Sequence, residues 1–180
     1  RPMKDIESRS YDSDLELRQD SDGRTITGIV VPYDVEQRIN PTLTEVFRRG
    51  AFAAVAREAH RVKLLVGHDS QKLPIGRATL LREDARGLYG EFRVSKGQRG
   101  DEILELVRDS ALTDFSIGFQ ALKDRRRADG VVERIAAHLA EVSLVTFGAY
   151  GKNAAIAGVR EESETPNLDA IADILKDLGR

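Results

Sequence analysis

The chain has 180 residues, of which 41% are hydrophobic and 32% are charged, with a net charge of -2 and no cysteine. This length is enough for one domain with a sizeable core, and the charge balance predicts no general affinity for nucleic acid. No apolar stretch approaches the roughly 20 residues of a membrane span, and no signal peptide is visible. The absence of cysteine excludes disulfides, thiolate metal sites and a cysteine nucleophile, and it fits a reducing compartment.

The first 43 residues predict a flexible segment, one strand and a loop. Residues 1–22 are polar and acidic, which is typical of a flexible N-terminal segment. Residues 24–31 are rich in β-branched side chains and are followed by Pro32, which indicates a strand. Residues 33–43 are interpreted as a loop.

A short helix and three strands are predicted between residues 44 and 94. Thr44 is a candidate helix cap with Glu45 in the first turn; Gly50 interrupts this helix, and residues 51–60 continue or restart it. Strands are predicted at 62–66, 74–81 and 87–94. Apolar and polar side chains alternate in the last of these, as they do in a half-buried strand.

Helical spacing appears twice in the second half of the chain. Apolar side chains between 103 and 111 follow it, with Asp101 as a plausible cap. Residues 158–166 form a polar linker, and an amphipathic helix with Pro166 in its first turn follows. The chain is therefore divided into a flexible segment, a folded domain, and a linker with a C-terminal helix, at residues 1–22, 23–157 and 158–180.

A long β-hairpin is predicted between the two helices. Strands at 115–122 and 131–147 flank Asp129-Gly130, a pair typical of a two-residue hairpin turn, and the basic run Arg125–Arg127 is interpreted as its solvated tip. Local hairpins with few helices predict an α+β fold. We expect a mainly antiparallel, barrel-like β core with a few flanking helices.

The predicted turn fixes which residues of the hairpin face each other. With Asp129-Gly130 as the loop, Ser116 lies opposite Ser143 and Gly118 lies opposite Glu141, and all four share one face. Ser116 and Glu141 are then diagonal neighbours, about 7–8 Å apart at the backbone. An imidazole would fit between them.

Three residue types in strand-like runs suggest a chemistry. Ser116 lies in the apolar run 112–119, His68 follows the strand at 62–66, and Glu141 lies on a largely apolar face. A serine, a histidine and a carboxylate are the nucleophile, base and orienting group of a serine hydrolase. The alternative for Glu141 is a buried ion pair with an arginine, because a buried carboxylate is costly unless it is paired.

Two other interpretations concern the positions of His138 and His68. The hairpin register places His138 on the face opposite Glu141, although a single bulge would reverse that assignment. His68-Asp69 could form half of a metal site, but three histidines and no cysteine supply few ligands, so no metal is expected.

Six segments, in order and with similar spacing, resemble the prohead maturation serine proteases of tailed bacteriophages. The resemblance extends from about Arg24 to Ala155. The six segments are Glu45–Phe52, Leu64–Asp69, Leu73–Gly76, Gly87-Leu88, Phe115–Phe119 and Leu139–Val145.

The resemblance implies a capsid-maturation protease with a herpesvirus-protease-like fold. Such an enzyme works in the bacterial host cytoplasm, inside the immature capsid, where it cleaves the scaffolding segment of the major capsid protein and itself; it could also self-associate. By motif, Ser116 is the nucleophile and His68 the general base. Glu141 is favoured as the third member, but related herpesvirus enzymes use a second histidine there, which keeps His138 as an alternative. No cofactor is implied.

Two other classes of protein stay open at this point. The first is a catalytically silent scaffold or assembly protein of the same fold. The second is an unrelated α+β ligand-binding domain, in which Ser116 and His68 would lie far apart.

Overall fold

The computed structural model describes residues 6–11, 13, 15–18 and 22–146. The predicted linker and C-terminal helix lie outside these residues. Ten strands, two α-helices and one 3-10 turn are described, in the order β1 Glu7–Tyr11, β2 Glu16–Arg18, β3 Thr25–Pro32, β4 Gln37–Asn40, β5 Leu43–Phe47, α1 Ala53–Ala56, 3-10 turn Ala59–Arg61, β6 Lys63–Val66, β7 Gly76–Glu83, β8 Gly87–Val94, α2 Gln98–Arg108, β9 Asp114–Arg126 and β10 Val132–Val145.

The strands form one sheet that curls into a half-barrel. Its main path runs β1-β9-β10-β6-β7-β8-β3-β2, with β5 beside β10 and β4 beside β5. Strand β10 is the centre, because it pairs antiparallel with β9 and parallel with both β5 and β6. The predicted α+β class and mainly antiparallel sheet are confirmed.

The core lies on one face of the β9–β10 pair. Phe115, Ile117 and Phe119 alternate along β9 and are fully buried. The ring of Phe119 meets Phe47 edge-on, with 5.1 Å between centroids, and Phe47 stacks on Phe52 at 5.3 Å. Removing one such ring costs about 3–5 kcal/mol of folding free energy. Packing on this face therefore stabilises the sheet, and the opposite face can carry polar groups.

The predicted two-residue turn of the hairpin is wrong. Arg126 pairs with Val132, and the N–H of Arg127 donates to the carbonyl of Val131 at 2.9 Å. Residues 128–130 therefore form a three-residue loop, in which Gly130 takes a positive φ of 89°. The Asp-Gly signal located the turn correctly but not its length.

A bulge restores the predicted pairing near Ser116. The register between β9 and β10 shifts by one residue between Leu139 and Glu141. As a result, Glu141 lies opposite Gly118 and Ser143 lies opposite Ser116, as the sequence predicted. The longer turn shifts the pairing by one residue from the predicted register, and the bulge shifts it back by one. The predicted pairing is therefore correct at Ser116.

The same bulge corrects the predicted position of His138. His138 pairs with Gln120, two positions along β9 from Gly118, so its side chain lies on the same face as Glu141 and not on the opposite one. His138 is nevertheless exposed.

The residues before the first predicted strand include two strands. The sequence predicted a flexible segment over residues 1–22, but Glu7–Tyr11 pairs antiparallel with β9 and Glu16–Arg18 pairs with β3. Polar composition was misleading here, because the polar side chains of β1 find partners in the domain: Arg9 contacts Glu45 and Ser10 contacts Ser116.

Two predicted helix starts are also corrected. Thr44 and Glu45 lie in strand β5, and the helix begins only at Ala53. Parallel pairing with β10 overrides the local capping signal. Helix α2 begins at Gln98, so Asp101 lies in its first turn, where its carboxylate accepts a hydrogen bond from Arg24 at 2.5 Å.

A buried acid on β10 illustrates how the sheet accommodates charge. Glu133 is 1% exposed and accepts hydrogen bonds from Arg125 and from Arg48, the latter at 2.9 Å from Nε. These two guanidinium groups, Arg125 more strongly, lower the pKa of Glu133 from 4.5 to about 2. The acid is therefore ionised and paired throughout the neutral range.

Candidate active site

A tight turn after strand β6 carries the histidine of the site. Gly67 and His68 both have positive φ, 61° and 58°, which is the left-handed region. Two hydrogen bonds hold this turn against β10: the N–H of Gly67 donates to the carbonyl of Leu144 at 3.0 Å, and the N–H of His68 donates to Ser143 Oγ at 3.0 Å. A non-glycine residue in this region is uncommon and is kept only where surrounding contacts fix it.

The turn places the imidazole of His68 between the hydroxyl of Ser116 and the carboxylate of Glu141. His68 Nε2 lies 2.5 Å from Ser116 Oγ, and Nδ1 contacts Glu141 Oε1. An ionised carboxylate only accepts hydrogen bonds, so the proton is assigned to Nδ1 and the lone pair of Nε2 faces the hydroxyl. This is the arrangement in which an imidazole can remove the serine proton.

Ser143 connects the histidine turn to the carboxylate. Its hydroxyl accepts from the backbone N–H of His68 and donates to Glu141 Oε2 at 2.8 Å. Ser143 is fully buried, so both bonds are shielded from water. One hydroxyl thus fixes both the backbone that carries the imidazole and the acid that orients it.

Gly118 provides the space in which Glu141 reaches the imidazole. The two residues are directly opposite in the β9–β10 ladder. A Cβ atom on Gly118 would lie 2.6 Å from Glu141 Oε1, which is closer than unbonded atoms approach, and 3.1 Å from Glu141 Cγ, which is a tight contact. Glycine at this position is therefore a steric requirement of the Glu141–His68 contact.

Strand β1 covers the serine. Ser10 lies opposite Ser116 in the β1–β9 ladder, and its hydroxyl donates to Ser116 Oγ at 2.7 Å. Ser116 Oγ in turn donates to the carbonyl oxygen of Arg9 at 3.1 Å. Ser116 is fully buried as a result.

The structure brings together the three residues singled out from the sequence and rejects some alternatives. Ser116, His68 and Glu141 form one hydrogen-bonded chain, so the unrelated ligand-binding domain, which required Ser116 and His68 to lie far apart, is wrong. Glu141 pairs with His68 and Ser143 instead of with an arginine.

His68-Asp69 shows no sign of a metal centre in the described part of the chain. The carboxylate of Asp69 accepts from the backbone N–H groups of Gln71 and Lys72. Among residues 6–11, 13, 15–18 and 22–146, no three His, Asp or Glu side chains gather as metal ligands would.

Neither described helix has the length and apolar character needed to cross a bilayer.

Sequence reasoning missed the roles of Gly118 and Ser143, although it placed both on the correct face. The available signal was their position opposite Glu141 and Ser116 in the hairpin register. It also missed β1, because its five residues carry no apolar alternation that marks a strand.

The chain is similar to known proteins in sequence and in fold. The family model described as caudovirus prohead serine protease matches residues 13–167. The prohead protease of Enterobacteria phage HK97 is 25% identical over 173 aligned residues, covering 94% of this chain and 74% of that protein. The solved structure of the bacteriophage T4 capsid assembly protease, gp21, superposes with a TM-score of 0.57 at 13% identity, over 79% of this chain and 98% of that chain.

Substituting Gly118 by alanine is expected to detach Glu141 from His68 without unfolding the domain. The added methyl group occupies the position of the Glu141 side chain, which is the flexible partner and must move. In nitrogen NMR spectra of the imidazole, the wild-type chain should show a proton held on Nδ1 of His68, and the Gly118→Ala chain should show a mixture of tautomers. A thermal melt serves as the control for folding. An unchanged Nδ1–H signal in the variant would contradict the steric argument.

Proposed function

We propose that this chain, which belongs to the caudovirus prohead serine protease family, is an active serine endopeptidase that cleaves the scaffolding segment of the major capsid protein, and itself, during prohead maturation. The observation that carries the proposal is the imidazole of His68, held between the hydroxyl of Ser116 and the carboxylate of Glu141. The HK97 relative is a prohead protease and the T4 neighbour is a capsid assembly protease, which supports the same substrate class here.

The proposed reaction proceeds through an acyl-enzyme. Ser116 Oγ bonds to the carbonyl carbon of the scissile peptide while His68 Nε2 takes the hydroxyl proton. The carbon–nitrogen bond then breaks, and the imidazolium returns that proton to the leaving amine. Water, activated by the same nitrogen, hydrolyses the ester and regenerates Ser116. Glu141 keeps the proton on Nδ1 and stabilises the positive charge that the ring carries in between.

A catalytically silent assembly protein is the second candidate. The burial of Ser116 beneath β1 favours it, because a substrate cannot reach a nucleophile that is permanently covered. The complete hydrogen-bonded chain from Ser116 to Glu141 supports the enzyme instead, since a scaffold has no use for an imidazole held in one tautomer.

The proposed function also includes a fold relationship, a location in the cell and a domain organisation. The curled sheet with a serine on β9 is consistent with a herpesvirus-protease-like fold. We place the protein inside the immature capsid in the bacterial host cytoplasm, where the capsid protein is its partner and where self-association is possible. Residues 158–180 are proposed to form a linker and helix outside the protease domain.

Replacement of Ser116 by alanine is expected to abolish proteolysis and to preserve the fold, because it removes one hydroxyl and little volume. The test is co-expression with the major capsid protein of the same phage, followed by mass measurement of the capsid protein, with a thermal melt of the variant. Full cleavage of the capsid protein by Ser116→Ala would reject Ser116 as the nucleophile.

Glu141 is expected to matter far more than His138. Glu141→Gln keeps the shape of the side chain but loses the charge that stabilises the imidazolium, so turnover should fall by about 1,000-fold or more, as it does when other triads lose their carboxylate. His138 is exposed and lies one ladder position beyond the bulge, so His138→Ala should change turnover little. Both variants are compared on one peptide substrate at matched folded concentration. An inactive His138→Ala with a near-normal Glu141→Gln would make the histidine the third member.

A further inference from the structure

Strand β1 passes the nucleophile as an extended peptide. It runs antiparallel along the outer edge of β9, with Ser10 opposite Ser116 and Arg9 opposite Ile117. Ser116 Oγ donates a hydrogen bond to the carbonyl oxygen of Arg9 at 3.1 Å, so the peptide bond beside the nucleophile is Arg9–Ser10. Addition of an extended segment to a sheet edge is a general mode of peptide recognition. Strand β1 therefore marks a path that a substrate can take.

The side chain of Arg9 enters a pocket built for a guanidinium. Glu45 forms its base and is 1% exposed; its Oε1 accepts from Arg9 Nε at 2.6 Å. The guanidinium carbon lies 5.2 Å from the ring centroid of Phe119, on the face of the aromatic system. The Arg9 side chain is only 9% exposed, so the carboxylate and the ring contact it in a largely dry environment.

Apart from Glu7 on β1, whose Oε2 accepts from Arg9 at 2.6 Å, the pocket belongs to the body of the domain. Glu45 lies on β5, Phe119 on β9, and Arg134 on β10 holds the other carboxylate oxygen of Glu45 with Nε at 2.9 Å. Arg134 is itself bound by Asp124 at 2.8 Å. When Arg9 leaves, Glu45 keeps Arg134 but Oε1 loses its 2.6 Å donor. A buried carboxylate oxygen without a donor is costly, so the pocket favours a new cationic side chain.

The chain on the other side of the bond is anchored independently. Tyr11 is 7% exposed and belongs to the hydrophobic core. The N–H of Ser13 donates to Asp114 Oδ1 at 2.9 Å, and its hydroxyl donates to the carbonyl of Ile29 at 3.1 Å. Cleavage between Arg9 and Ser10 would therefore release Glu7–Arg9, remove the Arg9 carbonyl from Ser116 Oγ and leave the residues from Tyr11 onward anchored.

We propose that Glu45 determines the specificity of this protease, selecting substrates with arginine or lysine immediately before the scissile bond, and that the Arg9–Ser10 bond of the chain is one such substrate. The inference rests on the proposed function. In the step, Ser116 Oγ bonds to the carbonyl carbon of Arg9 while His68 takes the hydroxyl proton. The carbon–nitrogen bond then breaks, Ser10 leaves as the new amino group with that proton, and water hydrolyses the ester to release the Arg9 carboxylate.

The first test uses the full chain and follows its intact mass with time. The wild-type and Arg9→Lys chains should be cut after residue 9, Arg9→Gln should be cut at least about tenfold more slowly, and Arg9→Glu should stay intact, because each change weakens or reverses attraction to Glu45. Ser116→Ala is the control for self-cleavage. Equal rates for wild type and Arg9→Gln, cleavage at another bond, or an intact wild-type chain would overturn the assignment.

The second test supplies the substrate as a peptide. Peptides with the sequence of residues 3–15 carry Arg, Lys, Gln or Glu at the position of Arg9. We expect kcat/KM to favour Arg over Gln by about 100-fold or more, since a site that pairs with a buried charge strongly rejects its neutral analogue. Glu45→Gln should reduce that preference to less than about threefold. Glu133→Gln is the matched control, because it removes another 1% exposed carboxylate held by two arginines but away from β1, and it should keep the preference.

The outcomes separate this inference from the proposed function. Cleavage of the capsid protein in the cell, together with equal rates on all four peptides, would reject the role of Glu45 and leave the protease intact. No cleavage of the capsid protein or of any peptide would reject the protease itself. If Glu45→Gln fails to fold, the peptide series on the wild-type chain still decides, because the preference for a basic residue is a property of the native pocket.

Discussion

The pairing of β9 with β10 is the constraint on which the rest of the molecule depends. Its inner face carries Phe115, Ile117 and Phe119 into the core, and its outer face carries Ser116 and Glu141 to the site. Side chains alternate along a strand, so a shift of one residue would exchange these two sets. The bulge between Leu139 and Glu141 is thus as important to the chemistry as any of the reacting groups.

Much of the site could be predicted from the sequence because it depends on alternation. The strands 62–66 and 87–94 and the long hairpin are close to the observed elements, and the predicted pairing of Ser116 with Ser143 is confirmed. The turn length and the bulge were not predictable, because both are set by backbone conformations that many sequences tolerate. The turn and the bulge shift the pairing by one residue in opposite directions. The predicted pairing is therefore correct beyond the bulge, at Ser116, and wrong between the turn and the bulge, where His138 lies.

Other features required the tertiary structure. Glu45 follows a threonine and looks like the first turn of a helix, yet it lies in a strand because β10 supplies parallel hydrogen bonds. Its burial depends on Arg9, 36 residues earlier, and on Arg134, 89 residues later. No local pattern reports such a cluster. The buried acids Glu45 and Glu133 each accept hydrogen bonds from two arginines. Of these two acids, Glu45 alone binds an arginine from β1, the strand that covers Ser116. The group proposed to select the substrate therefore also binds the strand that controls access to the nucleophile.

Covalent labelling tests most directly whether Ser116 is a nucleophile activated by His68. After residues up to Arg9 have been removed, the protein is treated with a fluorophosphonate probe and its adduct is mapped by peptide mass. We expect one adduct, on Ser116, whose formation is at least about 1,000-fold slower in His68→Ala. An adduct on another residue, or labelling of Ser116 at the same rate without His68, would contradict it.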